Sequence, residues 1–297
     1  MPASLLPQAL LAFDDEQPLA QDLAATLAVP LHLIERHRFP DGELKLRLPA
    51  QLQGTVVLLR SLHQPNEKLI EVLLTAPGAR AVGAQRVLLA APYLAYMRQD
   101  IAFRPGEVVS QRHIGALLAS TFDGLVTVDP HLHRIASLDE VMPACTAVSL
   151  SAAALLGDWL AAHVDRPLLL GPDEEAAQWV ERAAQAHGLD HACCVKQRLG
   201  DREVEIAMPT VDVRDRAVVL IDDMASTGRT LIGAAKQCLA LGAASVDVAV
   251  THALFVGDAL PALRATGVRH VWSTDCVPHE SNAVSVVPLL AQALQRL

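Results

Sequence analysis

Residues 218–230 run Val-Val-Leu-Ile-Asp-Asp-Met-Ala-Ser-Thr-Gly-Arg-Thr. An apolar run suited to a buried strand delivers two adjacent acids, Asp222 and Asp223, to its far end. A turn of small and hydroxylated residues, Ser226, Thr227, Gly228, Arg229 and Thr230, then opens a stretch with helical spacing. Backbone N–H groups and hydroxyls at a helix N-terminus favour a phosphate dianion, and open parallel sheets bind ligands at the carboxyl ends of their strands. Carboxylates just ahead of such a turn can accept hydrogen bonds from vicinal hydroxyls, so the string as a whole suits a phosphorylated ribose. An ordinary N-cap accounts for one Ser or Thr and leaves the rest of the string unexplained.

Other chemistry-bearing residues lie upstream. Phe39-Pro40-Asp41-Gly42-Glu43 reads as a polar hairpin turn at Asp41-Gly42. Arg98-Gln99-Asp100 follows an apolar run and an aromatic pair, Tyr93 and Tyr96, and the guanidinium fork of Arg98 suits phosphate oxygens. Asp129-Pro130-His131 and Gly171-Pro172-Asp173 each follow an apolar run as well, whereas His133 reads as a surface histidine. Lys196 and Arg198 are two apart, which puts both on one side of an extended segment; taken alone, that is the pattern of a solvated strand edge.

The elements that must position these groups alternate along the chain. Residues 55–59 and 86–91 read as strands bracketing a helix around 67–74. After Pro143 the grammar returns: a strand at 167–171, a helix over 174–187 stopped by Gly188, and strands at 217–221 and 245–250 around a helix at 230–241 that ends at Gly242. The expected division is 1–147 and 148–297, with the boundary falling between Val141 and Leu155. No tandem repeat is visible in the sequence.

Of the 297 residues 52% are hydrophobic and only 3% aromatic, which predicts a core of Ala, Leu and Val of the kind that covers a parallel sheet. A net charge of -9 with no cluster of Lys and Arg argues against nucleic acid as a partner. No window reaches bilayer-spanning length and no basic stretch precedes Leu10-Leu11-Ala12-Phe13, so the expectation is a cytoplasmic protein without a membrane partner. The five cysteines include one close pair, Cys193-Cys194, that fits neither a normal bridge nor a CxxC knuckle; all five are expected to be buried thiols.

In order from Phe39 to about His252, these blocks resemble those of the ribose-phosphate diphosphokinases (phosphoribosyl diphosphate synthetases), and among them the short archaeal-type members. The 218–230 string alone is shared by that family with type I phosphoribosyltransferases. The resemblance implies an α/β protein of two tandem type I phosphoribosyltransferase-like domains, each a mostly parallel sheet flanked by helices. It also implies an ATP-dependent enzyme that moves diphosphate to the 1-hydroxyl of ribose 5-phosphate, giving phosphoribosyl diphosphate and AMP. Phe39, Asp41 and Glu43 would hold the adenine in a neighbouring subunit's site, making the protein a homo-oligomer, at least a dimer. Arg98, Gln99 and His131 would bind ATP, and His131 and Asp173 would hold Mg2+. Asp222, Asp223, Ser226, Thr227, Gly228, Arg229 and Thr230 would bind ribose 5-phosphate. Lys196 and Arg198 would be catalytic, on a loop at 196–209 expected to be poorly ordered or open without ligands.

Three departures stand out. Ile101 and Ala102 occupy positions where many members carry lysines. Arg229 replaces a common glycine, which preserves the turn's N–H only if residue 229 has no need of positive φ. No basic insertion separates Asp100 from Ser110, so weak allosteric inhibition by ADP is the expectation. On sequence alone two rivals remain, a type I phosphoribosyltransferase and a catalytically silent regulatory paralogue.

Overall fold

The computed structural model describes residues 6–132, 134–198 and 204–297, with the side chains of 196–207 left outside that description. The chain forms two compact units, the first reaching Leu150 and the second spanning Ser151–Ser285, while Val286–Leu297 belongs to the first.

The first unit contains β1 (Pro7–Ala12), α1 (Gln17–Leu27), β2 (Leu31–Leu33), β3 (Glu35–Arg38), β4 (Leu44–Arg47), β5 (Thr55–Leu59), α2 (Pro65–Ala81), β6 (Arg86–Ala91), α3 (Ser110–Thr121), β7 (Gly124–Val128) and β8 (Thr146–Leu150). Six of the strands form a parallel sheet in the order β2-β1-β5-β6-β7-β8. Every residue of β5 and β7 is buried, which is why these strands read as continuous apolar runs rather than alternating ones. β3 and β4 pair only with each other, as an antiparallel hairpin. Helix α2 is longer than the sequence predicts because it continues through Pro77 and Gly78, residues that on their own favour a break.

The second unit contains α4 (Ala153–His163), β9 (Leu168–Gly171), α5 (Ala177–Gln185), β10 (His191–Cys193), β11 (Val195–Arg198), β12 (Val204–Ala207), β13 (Ala217–Ala225), α6 (Arg229–Ala240), β14 (Ser245–Ala253), α7 (Ala259–Ala265), β15 (Val271–Thr274) and β16 (Asn282–Val284). Its parallel sheet has the order β10-β9-β13-β14-β15-β16 and its hairpin is β11–β12. Strand for strand this is the order of the first unit, and in both the hairpin is inserted just before the strand that joins the middle of the sheet. The apolar side chains of β13, β14 and α6 form one core layer, and those of α4 and α5 pack on the opposite face of the sheet.

The last helix, α8 (Val287–Leu294), packs on α1, β7 and β8 of the first unit. The Arg86 guanidinium fixes the end of the chain by donating to the Leu297 carbonyl at 3.1 Å. α4 covers α5 in the second unit as α8 covers α1, the counterpart of α5, in the first. The observed division therefore falls three residues after the expected 147/148, with the final segment returned to the first unit. Amphipathic spacing cannot reveal such a return, since it shows that a helix has an apolar face and not which sheet receives it.

Among the described residues no helix is long and apolar enough to cross a membrane. All five cysteines are free; Cys194, Cys238 and Cys276 are buried, while Cys145 and Cys193 are only half-buried, against the expectation that all would be enclosed.

Candidate functional site

In the second unit β13 runs on past its apolar stretch, so Asp222 is still paired in the ladder, opposite Val250 of β14. Its Oδ1 accepts the Asp223 N–H at 2.9 Å, and the Asp223 side chain is buried. From the neighbouring strand β9 the chain passes into Asp173, also buried, whose carboxylate accepts the Glu175 N–H at 3.1 Å and so caps a short 3-10 turn. These carboxylates crowd one another. Burial first, then the negative charges of Asp223 and Asp173, push the Asp222 carboxyl well above its ordinary value. A half-buried acid shifted by desolvation and like charge at the carboxyl end of a parallel sheet is a candidate for binding or catalysis.

The turn beyond is fixed by the next loop. Phe255 donates its N–H to the Ala225 carbonyl at 2.8 Å and Val256 donates to the Ser226 carbonyl at 3.0 Å. Gly228, with φ +67°, is the left-handed residue that caps α6, and Arg229 is the first helical residue. The glycine requirement thus falls on 228, and Arg229 supplies its N–H without needing positive φ. Thr227 and Arg229 are exposed and Ser226 and Thr230 half-buried, so hydroxyls and backbone donors stand together at a helix N-terminus.

In the first unit the loops after β6 and β7 leave adjacent strands. Arg98 and Gln99 are exposed. The Gln99 carbonyl accepts the Gln111 N–H at 3.3 Å, and the Gln99 side chain accepts from the Ser110 hydroxyl at 3.3 Å, which ties the segment to the start of α3. Asp100 accepts from Arg134 at 2.6 Å and so joins this loop to the one that carries Asp129 and His131. Tyr96 (φ 65°) and the buried Asp129 (φ 38°) hold left-handed backbone without being glycine, strain of order 1 kcal/mol each that clusters at functional sites. Sequence reasoning named both residues but missed their left-handed backbone and the Asp100–Arg134 tie, since no residue-type pattern announces a backbone angle or a long-range ion pair.

The Phe39–Glu43 turn closes the β3–β4 hairpin as the Asp41-Gly42 pair predicts. Phe39 donates its N–H to the Glu43 carbonyl at 2.8 Å, Asp41 accepts the Glu43 N–H at 3.2 Å, and Gly42 has φ +94°. The Phe39 ring is exposed and meets the His37 ring edge-on at a centroid distance of 4.9 Å. Lys196 and Arg198 lie on β11, paired opposite Ile206 and Val204 of β12. Their side chains, with those of the rest of 196–207, lie outside the described residues, as do residues 199–203 of the expected loop 196–209 and His133. His131 and Asp173, the two expected metal ligands, belong to different units. Among the described residues no three His, Cys, Asp or Glu side chains are grouped so as to hold a metal ion.

Comparison with known proteins bears on both units. Residues 8–121 match the family described as the N-terminal domain of ribose phosphate pyrophosphokinase, and residues 151–289 match the phosphoribosyl transferase domain. A ribose-phosphate pyrophosphokinase of Methanopyrus kandleri is 38% identical over 291 residues, covering 97% of this chain and 99% of the relative. The chain belongs to the ribose-phosphate pyrophosphokinase family. A Methanosarcina acetivorans member is 34% identical, with 95% and 97% of the two chains covered. The crystal structure of the phosphoribosylpyrophosphate synthetase from Mycobacterium smegmatis shares the fold of the whole chain, with a TM-score of 0.83, 25% identity and 97% of each chain covered. Family membership accounts for the two sheets of one topology, and the expected tandem phosphoribosyltransferase-like domains are what the chain contains.

Proposed function

We propose that this chain transfers the diphosphate of ATP to the 1-hydroxyl of ribose 5-phosphate, yielding phosphoribosyl diphosphate and AMP. The ribose 5-phosphate half of the reading rests on the second unit's turn, acids followed at once by hydroxyls and backbone donors at the start of α6, and its ATP half on the match of residues 8–121 to the N-terminal domain of ribose phosphate pyrophosphokinase. A phosphate satisfies the donors of the turn, and the ribose hydroxyls donate to Asp222 and Asp223. The first unit's Arg98, Gln99 and His131 bind the triphosphate, the guanidinium fork pairing with its oxygens. Phe39, Asp41 and Glu43 complete the adenine site of a neighbouring copy, so the working form is at least a dimer.

In the reaction the O1 of the sugar bonds to the β-phosphorus while the bridging oxygen departs with AMP. Such a transfer asks a protein for position and charge compensation rather than covalent chemistry. Lys196 and Arg198 offset the charge that gathers on the transferring group. The carboxylates that raise Asp222 would be eased by a nearby cation, and magnesium asks for only one or two protein groups beside phosphate oxygens and waters, so it needs no grouped cluster of ligands. Asp173 and His131 would each offer magnesium one protein group, within its own unit. Magnesium held there would supply charge neutralisation to the phosphate groups.

Incubation with ATP, magnesium and ribose 5-phosphate should give AMP and an acid-labile sugar diphosphate in equal amounts. ADP and phosphate with the sugar unchanged, or no turnover, would count against the reading.

A further inference from the structure

The β3–β4 hairpin stands outside the sheet, and β3 is exposed along its whole length. A two-stranded hairpin is marginally stable in water, so something must hold this one in a fixed direction. Its stem is held by charge. Arg36 of β3 donates to Glu71 of α2 at 2.6 Å and to Asp14 at 2.9 Å, and Arg38 donates to Glu67 of α2 at 2.5 Å. The spacings match: Arg36 and Arg38 are two apart on one face of a strand, about 6.8 Å, while Glu67 and Glu71 are one turn apart on a helix, about 6 Å.

Glu71 is also bound from the core side. Arg60, 1% exposed, donates to it through Nε at 2.8 Å and Nη2 at 2.5 Å, and donates through Nη1 to Asp15 at 2.8 Å. Both guanidiniums lie over the Phe13 ring, Arg60 at 4.6 Å and Arg36 at 5.4 Å from its centroid. The buried Glu71 carboxylate is therefore shared between an arginine rooted in the sheet and one rooted in the hairpin.

From this arrangement we infer that Arg36, Glu71 and Arg60 are positioning residues for nucleotide binding. They fix the stem so that Phe39, Asp41 and Glu43 are presented in one geometry. The inference rests on the reading that those three residues contact adenine. Loosening the stem would leave the contacts intact in kind but populated only part of the time, which weakens apparent affinity by the populated fraction and leaves the chemical step alone.

The test measures kcat and the KM for each substrate in wild type, Phe39→Ala, Arg36→Ala and the double variant. Arg36→Ala should raise the KM for ATP by about tenfold, as for a competent fraction of about one tenth, with kcat and the KM for ribose 5-phosphate held within about twofold. In the Phe39→Ala background it should add nothing, because the two changes act through one contact. If Phe39→Ala leaves the KM for ATP unchanged, the adenine reading fails and the inference with it. If Phe39→Ala raises that KM but Arg36→Ala does not, or if their effects add, the anchoring role is overturned while the adenine reading stands. Parallel losses for both substrates would mark Arg36 as merely structural and also overturn it. Should Arg36→Ala not fold, the exposed Arg38–Glu67 pair serves instead: Arg38→Ala raises the KM for ATP alone, or the anchor is rejected.

Discussion

The segments that follow the apolar runs of β5 and β13 occupy the same place in two sheets of one strand order, yet they are charged in opposite senses. Arg60 follows the apolar run of residues 55–59 where Asp222 follows that of 217–221. In the first unit the chain answers its own charge. Arg60 binds Asp15 and Glu71, Lys68 donates to Glu16 at 3.1 Å, and the Glu16 carboxylate accepts the Ser61 N–H at 3.0 Å, so a side chain fills the anion position of the turn. Burial works to raise Asp15, but the hydrogen bond and charge of Arg60 outweigh it and hold the carboxyl below its ordinary value. In the second unit the acid beside Asp222, Asp173, has the same sign, and the carboxyl is pushed up. One scaffold thus holds its acids against Arg60 and Lys68 in one copy, where burial still pushes Glu16 up, and sets acids against one another in the other. What separates them is charge balance, not topology.

The largest effect should come from breaking the Arg60 cluster. Arg60→Met leaves Glu71 with only the partly exposed Arg36 and Glu16 with only Lys68 as its cation, and should cost about 3–5 kcal/mol in denaturant unfolding, with ribose 5-phosphate binding preserved in the folded fraction. Lys196→Ala should instead leave stability near wild type and lower kcat by about 10²–10³ while ribose 5-phosphate still binds; a near-wild-type rate would remove that residue from the chemistry.

Asp222→Asn sharpens the contrast, because activity and stability should move in opposite directions. Losing a hydrogen bond to a charged acceptor, about 1.5–3 kcal/mol, should lower kcat/KM by about 10–10². Without ligand, however, the variant should melt higher than wild type at neutral pH. The raised folded value means that the folded protein holds this proton more tightly than the unfolded chain does. That stabilisation is complete below the unfolded value, ordinarily 3.8, and is lost as pH rises through the folded one. Thermal scans should show wild type losing stability across that window relative to Asp222→Asn. Parallel pH profiles would mean that Asp222 is not strained.

Smallest is the backbone effect. Gly228→Ala, forced to φ +67°, should cost about 1 kcal/mol and raise the KM for ribose 5-phosphate, whereas Arg229→Gly should leave that KM within about twofold. The reverse ranking would relocate the glycine requirement to 229.

Much of the second unit's site could be read from the residues. The 218–230 string combines an apolar run, two acids and a hydroxyl-rich turn whose chemistry is local; α6 starts one residue before the expected 230, and β13 runs four residues past the expected 221, through both acids. The first unit's cluster was not legible, because its charges come from Asp15, Arg36, Arg60 and Glu71, which are scattered along the chain and joined only by the fold. The repeat itself was hidden for a related reason: the strands match in burial while Arg60 and Asp222 differ in sign. Nor could α8 be assigned to the first unit, since the packing partner of an apolar helix face is a tertiary fact.

Amide hydrogen exchange with and without ribose 5-phosphate tests the contrast most directly. Slowed exchange at the N–H groups of 226–230, with those of 60–66 unchanged, is the predicted outcome. Protection at 60–66, or at neither turn, would contradict the assignment of the sugar phosphate to the second unit.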